Sequence, residues 1–165
     1  MFKKILVALD RASASRTVLQ NALVLAQTTQ AQLLLLHVLS PKDQGSPGLE
    51  ALTGAGYYQM LEVENIKLYQ QRWQAYVNDS LTELQAAADE ANHRGILTEI
   101  QQLSGQPGRM ICQVAKDWGA ELIMVGRRGN SGLSELILGS VSNYVVHHAH
   151  CSVLIVQLLD TEKLS

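Results

Sequence analysis

Residues 5–9 read Ile-Leu-Val-Ala-Leu and run directly into Asp10 and Arg11. An unbroken apolar run of this length ending in a carboxylate is the pattern of a strand buried on both faces of a parallel sheet. The following segment, 13–30, carries Val18, Ala22, Leu25 and Ala26 at helical spacing, with Ser13 as a candidate cap. Strand is thus followed by helix. Residues 33–39, Leu-Leu-Leu-Leu-His-Val-Leu, form a second buried run. Leucine favours helices, but the short length and the Ser40-Pro41 stop favour a strand.

Residues 40–56 hold Gly45, Gly48, Gly54 and Gly56 together with Pro41 and Pro47, which marks a long irregular connection, expected to be flexible. From about Tyr57 to Arg94, Ile66, Trp73, Val77, Leu81, Leu84, Ala88 and Ala91 step by three or four, and Gly95 supplies a stop. These positions predict one long amphipathic helix. Ile96 to Leu103 alternates between two sides, as in a strand near a sheet edge with one wet face. Gly105-Gln-Pro107 opens a helix to about Trp118, the proline standing in the first turn where its missing N–H costs nothing. Glu121–Val125 reads as a buried strand, 126–132 as a glycine-rich turn, Gly139–His148 as a helix and Ser152–Gln157 as the last strand.

Strict alternation of strand and helix predicts an α/β fold. It is a doubly wound, Rossmann-like sandwich with a five-stranded parallel sheet in the order 3-2-1-4-5 and helices on both faces. Ligands of such sheets sit beyond the carboxyl ends of the strands where the winding reverses, here between the first and fourth strands. That rule singles out Asp10 and Gly126.

The length of 165 residues leaves room for one domain, 1–165. With 47% apolar and 17% charged residues, most of the chain has enough material to bury. Thirteen Lys and Arg against fifteen Asp and Glu give a net charge of −2, too balanced for non-specific nucleic-acid binding. No apolar run reaches the 18 or so residues of a spanning helix, and the run at 5–9 is too short for a signal peptide, so a cytoplasmic protein with no membrane partner is expected. Cys112 and Cys151 have no metal-like spacing and read as small buried thiols of a reducing compartment.

The segment with most chemistry is Gly126-Arg-Arg-Gly129, followed after nine residues by Gly139-Ser140. The early glycines allow a tight turn and a close backbone approach to a ligand. Gly139 and Ser140 begin a helix whose unpaired N–H groups and positive dipole end favour an anion such as phosphate, and Ser140 and Ser142 add hydroxyls. By spacing alone the glycines are equally compatible with ordinary loop punctuation. Their place at the switch point favours the phosphate cradle. Asp10, an acceptor-only group, suits ribose hydroxyls, with helix capping as the alternative. Arg127 and Arg128 can screen a triphosphate or simply be solvated.

Other features carry less. His147, His148 and His150 point apart on a helix of 3.6 residues per turn, so no metal site is proposed. His37, inside an apolar strand, reads as a hydrogen-bonded core residue. Tyr69, Trp73 and Tyr76 fit a packed helix face better than a base-stacking platform. The chain has no G-x-S-x-G, no H-E-x-x-H and no full Walker pattern.

The segments Lys4-Ile-Leu-Val-Ala-Leu-Asp10, Gly105-Gln-Pro107, Leu122-Ile-Met-Val-Gly-Arg-Arg-Gly-Asn-Ser-Gly-Leu-Ser134, Leu138-Gly-Ser-Val-Ser142 and His148-Ala-His-Cys-Ser-Val-Leu-Ile-Val156 together resemble the universal stress protein family. The likeness extends over nearly the whole chain apart from 40–65 and the last eight residues. The two-residue and nine-residue gaps ending in Gly-Ser match the subgroup that binds ATP. The resemblance implies Asp10 beside the ribose or adenine, Ala8, Leu9, Val38 and Val125 around the base, and Gly105 near the base or ribose. It further implies Gly126, Arg127, Gly129 and Gly139 shaping the phosphate loop, with Ser140, Val141 and Ser142 meeting the phosphates. Two positions depart from the family pattern. Arg128 stands where a histidine is common, and His150 and Ser152 stand where prolines flank the late cysteine.

The resulting expectation is a regulatory protein of the universal stress response that binds ATP or AMP and signals through nucleotide occupancy to an unidentified protein partner. A slow Mg²⁺-dependent ATP hydrolase or nucleotidyl-transferring enzyme is the alternative, with Mg²⁺ held mainly through the phosphates. No catalytic residue is assigned, because no general base is evident. A phosphoacceptor role for Asp10 is disfavoured, since Ser152–Gln157 contains no lysine. The last strand, Val153–Val156, is apolar, uncharged and placed at a sheet edge, which invites pairing with a second copy. A homodimer is also what the resemblance implies.

Overall fold

In the computed structural model, which describes residues 1–11, 14–43, 45–47, 63–127 and 139–157, strands and helices alternate as the apolar runs predict. The order is β1 (Lys4–Ala8), α1 (Ala14–Thr29), β2 (Gln32–Leu39), α2 (Val63–His93), β3 (Thr98–Ser104), α3 (Pro107–Trp118), β4 (Leu122–Gly126), α4 (Ser140–His148) and β5 (Ser152–Val156). All neighbouring strands pair in parallel, in the order β3-β2-β1-β4-β5. The three inner strands are mostly apolar, Lys4, Gln32 and His37 excepted, because both of their faces are covered. The edge strands β3 and β5 alternate instead.

Side chains of successive strand residues go to opposite faces, and two cores result. Ile5, Val7, Leu33, Leu35, Leu122 and Met124 pack with Val18, Ala22 and Leu23 of α1 and Leu84, Ala88 and Ala91 of α2. On the other face Leu6, Leu34, Leu36, Ile123 and Val125 pack with Ile111, Val114 and Ala115 of α3 and Val145 of α4. No described helix is long and apolar enough to cross a membrane.

The long helix departs from the predicted stripe. Leu84, Ala88 and Ala91 are buried and Trp73 and Val77 half-buried, but Ile66 and Leu81 are 45% and 42% exposed. Ser80, 3% exposed, takes an inward position instead, beside Tyr76, which is 2% exposed as its expected place on a packed face requires. Over 66–75 only Tyr69 and Trp73 are even half-buried, so this stretch has little apolar surface to cover. The predicted start of this helix at 57–62 lies outside the described residues, as do residue 44 and residues 48–56 of the glycine-rich connection. Within that connection, residues 40–43 begin with a turn in which the Asp43 N–H donates to the Ser40 carbonyl at 3.0 Å.

Candidate functional site

The winding reverses between β1 and β4, and there the sheet opens. The β1–β4 ladder ends at Val7–Met124, whereas β1–β2 pairing continues to Ala8–Leu36 and β4–β5 pairing to Gly126–Val156. Beyond the last rung the ends of β1 and β4 part in a crease at the switch point, the place where such sheets hold their ligands.

Ala8, Val38, Val125 and Val141 come from four elements and pack against one apolar cluster on the α3/α4 face. Leu9 packs against the opposite cluster, and its N–H donates to the Leu36 carbonyl at 2.9 Å. Gly126 closes β4 opposite Val156, and the Arg127 N–H donates to the Val156 carbonyl at 2.9 Å. Gly129 and Arg128 lie outside the described residues. Gly105 follows β3 with φ +154, and its N–H donates to the Leu39 carbonyl at 3.3 Å, next to Val38. A Cβ built there would stand 2.7 Å from Met110 Cγ, so the position is shaped for glycine.

Gly139 is the N-terminal flanking residue of α4, with φ −58 and ψ 156, and among the described residues no side chain caps the helix. The first backbone N–H groups of such a helix have no intrahelical acceptor, and the aligned peptide dipoles make this end positive. Ser140 is exposed at the first position. Ser142 is 1% exposed, and its hydroxyl donates to the Gly139 carbonyl at 3.1 Å, which holds the turn. The helix sits close to α3: a Cβ built on Gly108 would lie 2.8 Å from the Tyr144 ring.

At the other side of the crease, the Asp10 N–H donates to Ser15 Oγ at 2.9 Å, and the Ser15 hydroxyl donates to Asp10 Oδ1 at 2.7 Å. Both the backbone and one carboxylate oxygen of Asp10 are therefore referenced to the first turn of α1. These bonds run to the Ser15 hydroxyl and not to a backbone N–H, so they orient the carboxylate without making it a helix cap. Sequence reasoning passed over Ser15. Its signal is a hydroxyl five residues after the acid, within the predicted first helical turn.

Sequence reasoning also passed over Arg11 and Asp43, and read Tyr76 only as part of a packed helix face, where it does lie. Arg11 donates from Nε and Nη2 to the two carboxylate oxygens of Glu83 on α2, at 3.2 and 2.7 Å. Asp43, 7% exposed, accepts from Tyr76 Oη at 2.6 Å and pairs with His37 Nε2 at 2.7 Å. Gln102 Nε2 meets His37 Nδ1 at 3.3 Å and donates to Ser80 Oγ at 2.9 Å. Both ring nitrogens of His37 are thereby engaged in the core, as its place in an apolar run predicts. Burial, reinforced by the bond to Asp43, pushes the Tyr76 phenol well above the usual tyrosine value. A cavity of about 350 Å³ lies beside these groups, lined by Leu9, Asp10, Arg11, His37, Ser80 and Glu83 among others. It adjoins the Asp10 side of the crease and does not reach the start of α4.

Cys112 and Cys151 are free and half-buried. Burial pushes both thiols up, and their proximity raises Cys151 further, so thiolate chemistry is disfavoured. Among the described residues no group of three or more His, Cys, Asp or Glu is placed to hold a metal ion.

The universal stress protein family pattern matches residues 1–157. The chain belongs to the universal stress protein family. The universal stress protein Sll1388 of Synechocystis sp. is 37% identical over 161 residues, covering 94% of this chain and 98% of that protein. Three solved structures are similar to this family member at 20–22% identity, which shows the fold. Hypothetical protein MJ0577 matches with TM-score 0.75 over 98% of this chain and 99% of its own. A universal stress protein in complex with cAMP matches with TM-score 0.60 over 94% and 97%. The Arabidopsis thaliana family protein At3g01520 with AMP bound matches with TM-score 0.64 over 99% and 96%.

Proposed function

We propose that this universal stress protein binds an adenine nucleotide, ATP or AMP, across the crease between β1 and β4, and that occupancy is its signal to a protein partner. The observation that carries the reading is a carboxylate anchored by a side chain just beyond β1, at the switch point, to which the start of α4 is taken to supply the anion-binding end. Asp10 is oriented by Ser15, and Ser140 to Ser142 begin α4 behind Gly139. Val38 and Val125 belong to one apolar cluster on the α3/α4 face, and such aliphatic side chains suit the flat apolar face of a base. The cAMP and AMP held by two structural relatives lend further support.

In this reading Asp10 accepts from ribose hydroxyls, while the N–H groups of Ser140, Val141 and Ser142 donate to phosphate oxygens. Gly126, Gly129 and Gly139 keep side chains away from the anion, and Gly105 and Arg127 border it. Any Mg²⁺ would ride on the phosphates of ATP, since the donors nearest the anion are amides and hydroxyls rather than a set of carboxylates.

Equilibrium binding of labelled ATP to the wild type and to the Gly126→Val, Ser140→Ala double variant tests the site. The expected result is a loss of affinity of about tenfold or more, the scale of one or two charge-assisted hydrogen bonds. Equal affinity in the two proteins overturns the assignment.

The same proposal includes a homodimer through β5. This strand pairs with β4 on one side and forms the edge of the described sheet, with Leu154 41% exposed. Light scattering coupled to size exclusion is expected to give a dimer at micromolar concentration and a shift toward monomer in Leu154→Lys. A monomeric wild type refutes it.

A further inference from the structure

Besides β4, the nucleotide site proposed above takes residues from two more strand ends, β1 with Ala8 to Asp10 and β2 with Val38. Behind the sheet, on the α2 side, these two ends are joined by one continuous set of side-chain contacts. Arg11, next to Asp10, is paired with Glu83 of α2, and its guanidinium carbon lies 6.0 Å from the centre of the Tyr76 ring. Tyr76 Oη donates to Asp43, and the same Asp43 oxygen pairs with His37, the residue before Val38. The seven residues 37–43 therefore fold back so that α2 grips both strand ends. Tyr76, His37 and Asp43 are buried, where a hydrogen bond has no water to replace it and its geometry is held closely.

We propose that Tyr76 and Arg11 are positioning residues for the adenosine half of the nucleotide site, setting the separation of Asp10 from Val38 through α2. Neither side chain touches the ligand. The inference rests on the nucleotide-binding reading above and adds to it a division of labour. Helix α2 senses the nucleoside and is indifferent to the phosphates, which are held on the opposite side by the start of α4. Reciprocity then requires that a bound nucleoside stabilise the Arg11–Tyr76–Asp43 contacts in turn.

The test compares AMP, adenosine and inorganic triphosphate as probes, by calorimetry, on the wild type, Tyr76→Phe, Arg11→Gln and Arg11→Lys. Amide hydrogen exchange over 76–84 is followed with and without AMP. Tyr76→Phe removes only the hydroxyl that reaches Asp43. The expected outcome is a fall of about tenfold in AMP and adenosine affinity for Tyr76→Phe and Arg11→Gln, on the scale of one lost buried hydrogen bond to a charged group. Triphosphate affinity stays within about twofold, and Arg11→Lys, which keeps the pairing with Glu83, recovers most of the loss. AMP slows exchange over 76–84 in the wild type and ceases to do so in Tyr76→Phe.

AMP binding unchanged in both Tyr76→Phe and Arg11→Gln overturns the positioning role and leaves the nucleotide site standing. Equal weakening of AMP and triphosphate marks a general loss of structure and also overturns it. A wild type that binds neither AMP nor ATP removes the nucleotide site itself, and the positioning role with it. Arg11 is on the surface side of the network, with its side chain 23% exposed. Its variants therefore keep the test valid should Tyr76→Phe fold poorly.

Discussion

The layer made by α1 and α2 and the layer made by α3 and α4 hold the same sheet by different means. On the first side, polar groups fix the strand ends: buried His37, Asp43, Tyr76 and Ser80 and half-buried Gln102 satisfy one another, and Arg11 is tethered to Glu83. On the second side the contacts are apolar, and the helices approach so closely that Gly108 stands against the Tyr144 ring. Side-chain hydrogen bonds define direction, which suits the placing of a carboxylate such as Asp10. Close apolar packing leaves the first N–H groups of α4 to serve as the polar element, which suits the placing of an anion.

Four measurements break or sharpen this contrast. The largest effect is expected for Asp43→Ala, which leaves Tyr76 and His37 without their shared acceptor and is expected to cost about 3 kcal/mol in urea unfolding. A cost below about 1 kcal/mol would mean that the polar layer does not hold the strand ends. Gly108→Ala comes next. Its methyl group would meet the Tyr144 ring at 2.8–2.9 Å, and overpacking of this kind costs about 1–3 kcal/mol. Because α4 must shift to relieve it, this variant is also expected to weaken triphosphate binding more than adenosine binding, the reverse of Tyr76→Phe. An equal effect on both ligands would erase the distinction between the layers.

Ionic strength supplies a third, smaller effect. Raising salt from about 0.05 M to about 0.5 M is expected to weaken ATP several-fold and adenosine hardly at all, because screening acts on the charged end. The smallest effect concerns alkaline pH. The Tyr76 phenol is raised in the folded state by burial and then by Asp43, so the folded protein keeps a proton that the unfolded chain releases. Its contribution to stability is complete below the ordinary tyrosine value of about 10 and is lost as pH rises above it. Unfolding free energy measured from pH 9 to 11 is therefore expected to fall more steeply in the wild type than in Tyr76→Phe.

Much of the fold was legible because a parallel sheet covered on both faces writes itself as unbroken apolar runs. Ile5–Leu9 and Leu33–Leu39 could be read without their partners, and the glycine and proline stops bounded the helices. Periodicity failed at Ile66 and Leu81, which carry the right residue type at nearly the right spacing but lie outside the buried stripe. An inward position went to Ser80 beside Tyr76, and the polar atoms of the two are acceptable in the core because Asp43 and Gln102 stand opposite. No local pattern announces a partner 33 residues away. Gly126 and Gly139 drew notice through their place at the switch point and Gly105 through the family resemblance, whereas Ser15, Arg11 and Asp43 carried no such signal, since serine, arginine and aspartate in turns are ordinarily solvated.

The amino-acid sequence by itself determined the alternation of strands and helices, the strand order that right-handed crossovers permit, and the place of the crease, because these follow from local hydrophobic pattern and chain chirality. Only the tertiary structure decided which polar side chains meet behind the crease. A hydrogen bond between His37, Asp43 and Tyr76 depends on the packing of β2 against α2 to within a few tenths of an ångström, and that distance is set by every side chain between them.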